Sequence, residues 1–187
     1  MTIINHMKRS ILINQVSRRI QSLPPSNPIK VAIDGVDASG KTFLADEIAA
    51  SLRSGSRQII QASADGFHNP RSIRYEKGSL SPEGFYYDSY NYKTLIKNLL
   101  EPLGVNGDRL YRTKAFDVVN DQPIDSPSLI ADDDALLIME GIFLLRPEIF
   151  PYLDLTIYLV VDFANSMPRG NDRDAELIGG KEEAARR

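Results

Sequence analysis

Eight residues from Gly35 to Thr42 have the spacing G-x-x-x-x-G-K-[ST], which is typical of a loop that binds the phosphates of a nucleotide. Glycines let consecutive backbone amides face phosphate oxygens, and the helix that follows presents its own unpaired amides. Lys41 would reach the outer phosphates, and the hydroxyl of Thr42 would bind Mg²⁺. We therefore expect a nucleoside triphosphate and Mg²⁺ as cofactors, with ATP as the donor that we assign, although the motif itself does not identify the base. The residues predicted to bind the nucleotide are Gly35, Asp37, Ala38, Ser39, Gly40, Lys41 and Thr42.

Two carboxylates outside this loop could complete the chemistry. Glu140 follows the apolar run 135–139, and Asp65 follows a second predicted strand at 57–63. Because ligands bind at the carboxyl ends of parallel strands, both acids would lie beside the loop. Phosphoryl transfer to an alcohol needs a carboxylate that accepts the hydroxyl proton, so we expect Asp65 to be the general base and Glu140 the metal-side acid. The alternatives are a turn-forming aspartate and a strand-end carboxylate in solvent.

These side chains need a framework of strands and helices, and the apolar pattern predicts one. Strands and helices alternate along the chain, which favours a three-layer α/β fold with a mostly parallel sheet and helices on both faces. A long polar and aromatic loop would join the second strand to the second helix. The predicted strands are 29–34, 57–63, 135–139 and 155–161, the predicted helices are 42–52 and 90–100, and 109–116 is a further strand candidate before an irregular stretch at 120–128.

The N-terminal segment 1–23 is basic and carries apolar residues at helical spacing. This pattern predicts an amphipathic helix packed on the domain. A mitochondrial presequence is the alternative, because the segment holds Arg and Lys but no acidic residue. The proline-rich residues 24–28 would link this helix to a core at 29–163. A charged helical region follows at 164–187, so we expect the whole chain, 1–187, to form one domain.

The composition excludes several classes of protein. The chain has 187 residues, a formal net charge of −3 and no cysteine. A small negative charge provides no global field for nucleic acid or an anionic membrane, and the lack of cysteine removes disulfides and thiolate zinc sites. No apolar run is long enough to cross a bilayer, so we expect a cytoplasmic protein that binds a small molecule. An exposed apolar stripe on the N-terminal helix would be unfavourable in a monomer, so a homo-oligomer is an alternative to a monomer.

Taken together, the motifs resemble those of the uridine kinase group of P-loop kinases, whose relatives include phosphoribulokinase and bacterial pantothenate kinase. The resemblance covers residues 29–173. It rests on the phosphate loop and on three further motifs. These are Asp65-Gly66-Phe67-His68, Tyr87-Asp88 before a helix, and Ile138-Met139-Glu140-Gly141-Ile142-Phe143. The segment A-D-G-F-H-N-P-R at 64–71 is similar to that of the shorter bacterial members.

The resemblance implies a role for each of these residues. Asp65 would be the general base, with Thr42 and Glu140 on the magnesium side. Asp88 would hold the ribose hydroxyls and Tyr87 would stack near the pyrimidine, although Tyr87 could also be a plain hydrophobic anchor. The residues implied in substrate binding are His68, Tyr87, Asp88, Tyr111 and Arg112.

A lid is implied for 164–187. Its Arg169 and Arg173 would stabilise charge on the transferred phosphoryl group and exclude water on closure, and an exposed charged helix is the alternative. Pro168 stands where the relatives usually have another lid arginine or a helix-compatible residue, so we expect a shorter or differently hinged lid. The family continues past the position of Arg187 into a strand that helps build the nucleotide base site. We therefore expect this chain to bind a nucleotide, whereas the sequence gives less support for catalytic turnover.

Three functional hypotheses follow. The first is transfer of the γ-phosphoryl group of ATP to the 5′-hydroxyl of uridine or cytidine, with the side chain of Asp37 pointing toward this acceptor. The second is the same reaction on another small alcohol, pantothenate-like or a sugar, since no residue by itself identifies a pyrimidine. The third is a nucleotide-binding protein with little turnover. A GTP switch has poor support because no N-K-x-D segment is present.

Overall fold

The computed structural model describes residues 9–24 and 27–178, with side chains up to residue 172. The core of the fold is a sheet of four parallel strands in the spatial order β2, β3, β1, β4. These strands are β1 (Ile29–Gly35), β2 (Ile59–Ser63), β3 (Leu136–Glu140) and β4 (Leu155–Leu159). All four were predicted from the apolar pattern, with bounds that differ by no more than about two residues.

The register of the strands brings their carboxyl ends to one level. Ile33 of β1 lies opposite Glu140 on one side and Ile157 on the other, and Ser63 of β2 also lies opposite Glu140. Every residue of β1 and the first four of β3 are buried. Such continuous burial is expected where helices cover both faces of a parallel sheet. The segments that leave β1, β2 and β3 therefore emerge side by side.

Helices cover the sheet on both faces. On one face, Leu44 and Ile48 pack with Val31 and Ile138, and on the other, Leu99 packs with the opposite side of the sheet. Within the described ranges the α-helices are α1 (Arg9–Gln21), α2 (Lys41–Leu52), α3 (Arg71–Arg74), α4 (Pro82–Asp88), α5 (Tyr92–Leu95) and α6 (Phe163–Ile178), and a π-helical turn, Ile96–Leu100, continues α5. The predicted three-layer α/β architecture is confirmed.

The N-terminal helix packs on α2. Ile13 and Ile20 of α1 are buried in the same cluster as α2, and Arg9 pairs with Glu47 at 2.7 Å. Residues 1–8 of the predicted helix and residues 25–26 of the predicted linker lie outside the described part of the chain. Across the described ranges, no helix is both long and apolar enough to cross a membrane.

The stretch predicted as a long loop between β2 and the second helix contains α3 and α4. The helix α4 begins with a cap, because the Ser81 hydroxyl accepts a hydrogen bond of 3.1 Å from the Gly84 amide. Pro82 occupies the first turn, where its missing amide costs nothing. The sequence Ser81-Pro82-Glu83 is therefore typical of the start of a helix, which the hydrophobic pattern alone does not predict.

The single strand expected at 109–116 does not form. Only its two ends are extended, and each forms a separate two-residue antiparallel ladder. Leu110–Tyr111 pairs with Leu129–Ile130, and Phe116–Asp117 pairs with Gln122–Pro123. The last of these strands lies in the stretch 120–128 that was expected to be irregular. Short ladders of this kind depend on tertiary contacts, so the local pattern overestimates their length.

The helix α6 runs through Pro168 instead of ending at the residue before it. The proline ring removes one helical hydrogen bond, that to the carbonyl of Ala164. The first turn is held by the Asp162 carbonyl, which accepts from the amides of Asn165 at 2.8 Å and Ser166 at 3.1 Å. Residues 179–187 of the expected lid lie outside the described part of the chain.

Candidate active site

The phosphate loop connects β1 to α2 and has two residues with a left-handed backbone. Gly40, directly before α2, has φ 92°, and a Cβ atom there would meet nothing within 4 Å. Glycine is therefore needed at this position for its backbone freedom and not for space. Ala38 has φ 53°. A left-handed residue within such a turn points successive amides toward one side, which is the arrangement that binds anions.

Lys41 lies under the loop. Its Nζ atom donates hydrogen bonds to the carbonyls of Gly35 at 3.1 Å and Val36 at 2.8 Å, and the residue is 7% exposed. Burial lowers the pKa of the ammonium group, while the carboxylates of Asp37 and Glu140 act in the opposite direction. A cation held against the loop carbonyls is in position to exchange those contacts for phosphate oxygens.

The loop also holds a polar atom that suits a phosphate. The Ser39 hydroxyl is buried and makes no hydrogen bond with any residue that the structure describes. Burying a hydroxyl without a partner costs free energy, and an anion in the loop would remove that cost. The residues of the loop therefore fit a bound nucleotide.

Glu140 ends β3 beside the loop. It accepts hydrogen bonds from the hydroxyls of Ser63 and Thr42, and burial is the main cause that raises its pKa. The next residue is Gly141, where a Cβ atom would lie 2.5 Å from the Cβ of Ala64, so a larger residue would push the ends of β2 and β3 apart. Thr42 and Glu140 together offer a hydroxyl and a carboxylate to one cation. Mg²⁺ binds such oxygens and fills its other positions with water and phosphate.

Asp65 lies in the turn that follows β2, with a side chain that is 66% exposed toward the cleft. Its Oδ1 atom accepts a hydrogen bond of 2.9 Å from the Tyr90 hydroxyl and lies 3.4 Å from Nε2 of His68. The hydrogen bond with His68 is the largest cause that lowers the pKa of Asp65, and Tyr90 acts in the same direction while burial opposes it. Asp65 is thus held as a carboxylate that can accept a proton.

These groups line one cleft of about 530 Å³, which we call the nucleotide cleft. Lys41, Thr42, Asp65 and Glu140 all contribute to its wall, and Arg169 reaches it from α6. The structure therefore brings together five of the residues that the sequence predicted for catalysis and metal binding. Arg173 belongs to α6, but its side chain lies outside the described part of the chain.

A second cavity of about 530 Å³ adjoins this cleft. It lies between the α3–α4 segment and α6, and it shares Asp37 and Ala38 with the first. His68 lines the second cavity and also contacts Asp65, so the two spaces meet at the predicted base. A small molecule in the second cavity could therefore present a group to Asp65.

Tyr87 and Asp88 are on the α4 helix but are not among the residues that line either cavity. The Asp88 carboxylate pairs with Lys77 at 3.1 Å. The ring of Tyr87 lies 5.1 Å from the guanidinium carbon of Arg146. Instead, α4 presents Phe85 to the second cavity. Binding of ribose by Asp88 and of a base by Tyr87 would require these contacts to change.

Tyr111 and Arg112 also lie elsewhere. Tyr111 is 4% exposed in the hydrophobic cluster on the α5 side of the sheet, and burial raises the pKa of its hydroxyl. Arg112 donates to Asp125 at 2.6 Å and to Ser128 at 3.0 Å. Both side chains are engaged in contacts away from the two cavities, so their role in binding a base stays a prediction.

Two residues of the site were not singled out from the sequence. Asp34, at the end of β1, accepts from the Gly35 amide at 2.6 Å and the Leu145 amide at 3.0 Å, which ties the loop to the segment after β3. A carboxylate at the end of a buried strand could have indicated it. Tyr90 supports Asp65, and no spacing rule connects two residues 25 positions apart.

Comparison with known proteins gives matches only among solved structures, since no protein-family model and no curated protein sequence matches the chain. A possible uridine kinase from Bacillus stearothermophilus is 22% identical and aligns over 87% of each chain with a TM-score of 0.73. The chain has the P-loop NTPase fold. This confirms the fold expected from the phosphate loop and from the alternation of strands and helices.

Two further structures share this fold. A candidate fructose transport system kinase from Silicibacter sp. TM1040 is 21% identical, with a TM-score of 0.71 over 96% of this chain and 87% of its own. YFH7 from Saccharomyces cerevisiae, a candidate P-loop kinase with a circular permutation, is 12% identical, with a TM-score of 0.68 over 96% and 91%. At such identities the likeness establishes the fold, and each named substrate belongs to the protein that carries the name.

Proposed function

We propose that the protein is a P-loop kinase that transfers the γ-phosphoryl group of ATP to a hydroxyl group of a small molecule. The observation that carries this proposal is the shared cleft, in which the phosphate loop and the carboxylates of Glu140 and Asp65 line one space. Three structural neighbours with kinase names and the same fold support it.

Each residue would have a defined task in this reaction. When bound, MgATP supplies the phosphoryl group and the metal charge that neutralises it. Lys41 and the loop amides hold the phosphates, and Thr42 with Glu140 holds the metal. The acceptor oxygen forms its bond to phosphorus while the bond to the ADP oxygen breaks, and the acceptor proton passes to Asp65. Arg169 adds positive charge beside the phosphoryl group and α6 excludes water.

The 5′-hydroxyl of uridine or cytidine is the first acceptor to test. Its support is the resemblance of the Asp65–His68 and Tyr87–Asp88 motifs to the uridine kinase group and the name of one structural neighbour. The contacts of Tyr87 and Asp88 with Arg146 and Lys77 give it no further support. Other small alcohols therefore belong in the same experiment, together with a blank that contains no acceptor.

A coupled assay of ADP release with ATP and Mg²⁺ tests the proposal. We expect one class of acceptor to stimulate release, and we expect Asp65→Asn to lower kcat by about 10²- to 10⁴-fold while nucleotide affinity is kept. Asp133→Asn is the matched control, because this exposed carboxylate precedes β3 and so lies at the amino end of the strands, opposite the cleft. Turnover that is unchanged in Asp65→Asn would refute the assignment of the base.

A further inference from the structure

The wall of the second cavity contains a largely buried cation, Arg74, that makes one long ion pair. The side chain of Arg74 is only 11% exposed, and its closest carboxylate contact is Asp121 at 3.5 Å. Its Nε atom is buried, and among the described residues it has no hydrogen-bond partner. A buried guanidinium is normally held by charge-assisted hydrogen bonds of about 2.7–2.9 Å, often in a bidentate pair. Arg74 therefore retains the capacity to bind another anion.

The surroundings of Arg74 do not remove this capacity. The Oδ1 atom of Asp121 accepts a hydrogen bond of 2.9 Å from the Arg71 amide, and its separation of 3.5 Å from Arg74 is longer than that of a charge-assisted hydrogen bond. The Tyr75 ring, 5.1 Å from the guanidinium carbon, offers a weak cation–π contact. Among the described residues that line the cavity, Asp37 is the only carboxylate, and it lies at the boundary with the nucleotide cleft.

The rest of the cavity wall suits an organic molecule. Four large apolar side chains line it although they are half or more exposed. These are Leu80 at 61%, Phe85 at 53%, Phe163 at 67% and Met167 at 56%. Exposed apolar groups that face one another across a cavity are typical of a ligand site. At the other side, His68 connects the cavity to Asp65.

We propose that the acceptor is an alcohol that also carries an anionic group, a carboxylate or a phosphate, and that Arg74 binds this group. This inference rests on the proposed kinase function and specifies its substrate class. The hydroxyl would face Asp65, an apolar body would lie between α4 and α6, and the anionic group would pair with the guanidinium. Arginine suits this role because its planar fork matches carboxylate and phosphate oxygens.

Matched pairs of acceptors test the assignment. The pairs are pantothenate with pantothenol, glycerate with glycerol, and uridine 3′-phosphate with uridine, so that carboxylate and phosphate sources are compared separately. We expect the anionic member of at least one pair to bind the wild-type protein about tenfold or more tightly than its neutral partner. The measurement is calorimetry in the presence of Mg²⁺ and a non-hydrolysable ATP analogue, followed by ADP release with ATP.

Three variants separate a ligand contact from a structural role. Arg74→Gln should bring the ratio of anionic to neutral binding close to one, whereas Arg71→Gln, an exposed arginine on the same short helix, should leave that ratio unchanged. Asp121→Asn should raise the ratio, because it frees the guanidinium while the amide oxygen still accepts from Arg71. Asparagine also tolerates the φ of 53° at this position.

Failure of the Arg74 assignment and failure of the proposed kinase function give different results in these experiments. If no anionic member binds better than its neutral partner in any pair, or if the ratio survives in a folded Arg74→Gln protein, the assignment of Arg74 is overturned. Should Arg74→Gln fail to fold, a ratio that does not rise in Asp121→Asn overturns it instead. Anion-selective binding without any acceptor-stimulated ADP release would keep the role of Arg74 and refute the proposed kinase function.

Discussion

The nucleotide cleft and the second cavity differ in the secondary-structure elements that form their walls. The cleft is formed by the ends of three parallel strands and the first turn of α2, and its Lys41 is 7% exposed. The second cavity lies among the short helices α3 and α4 and the helix α6. Its apolar side chains are largely exposed.

This difference suits the two tasks proposed above, the binding of a nucleotide and the binding of an acceptor. Groups that must hold phosphates and a metal need a fixed geometry, which a buried sheet provides. An acceptor site on short helices can change its side chains with little effect on the core. We therefore expect substitutions in the cleft to affect every acceptor equally, and those in the second cavity to affect one acceptor more than another.

The largest effect should come from Lys41. We expect Lys41→Met to lower kcat by about 10²- to 10³-fold for all acceptors, because the cation is lost from the phosphates. Lys93→Met, on an exposed position of α5, is the control. Steady-state kinetics with two acceptors measure the effect. A loss that differs strongly between the acceptors would show that the cleft and the cavity are not independent.

Gly170 lies on α6, which borders both the cleft and the second cavity. A Cβ atom at Gly170 would lie 3.5 Å from the Cβ of Ala38, which is an ordinary contact, whereas a larger side chain would push α6 away from the loop. We expect Gly170→Val to lower kcat/KM by about tenfold or more, since Arg169 would be displaced. Gly170→Ala should keep activity and raise stability by about 0.5–1 kcal/mol, through the better helix propensity of alanine.

Steady-state kinetics and thermal unfolding of the two variants give these values. Equal activity of Gly170→Val and Gly170→Ala would mean that close packing of α6 on the phosphate loop is not needed for turnover.

The sequence could predict the cleft because its parts are local or follow from strand order. The loop is one continuous motif, and Asp65 and Glu140 follow strands whose apolar runs are easily recognised. The second cavity could not be predicted in this way. Arg74 and Phe163 meet there only through the tertiary placement of α3 and α6, and neither belongs to a motif. The same reason explains why Tyr90, which supports Asp65, was missed.

The acid limb of the pH–rate profile should report on the groups around Asp65. His68 and Tyr90 lower the pKa of this carboxyl group by stabilising its charged form. Removing either partner should raise that pKa, so the pH below which kcat/KM falls should move upward. We expect a larger shift for His68→Phe than for Tyr90→Phe, because the hydrogen bond with His68 is the largest cause.

The profile of kcat/KM against pH, measured with one acceptor, gives both shifts. A shift to lower pH in either variant would contradict the role of Asp65 as the ionised base.

The smallest effect should come from Arg112. Its partner Asp125 is 93% exposed, so we expect Arg112→Gln to lower the free energy of unfolding by about 1 kcal/mol or less. Because the guanidinium is held by Asp125 and Ser128 away from both cavities, KM for the acceptor should change by less than about threefold. Denaturant unfolding and acceptor titrations measure the two quantities. A rise in KM of about tenfold or more would instead support the contact with a nucleoside base that the motif resemblance implies.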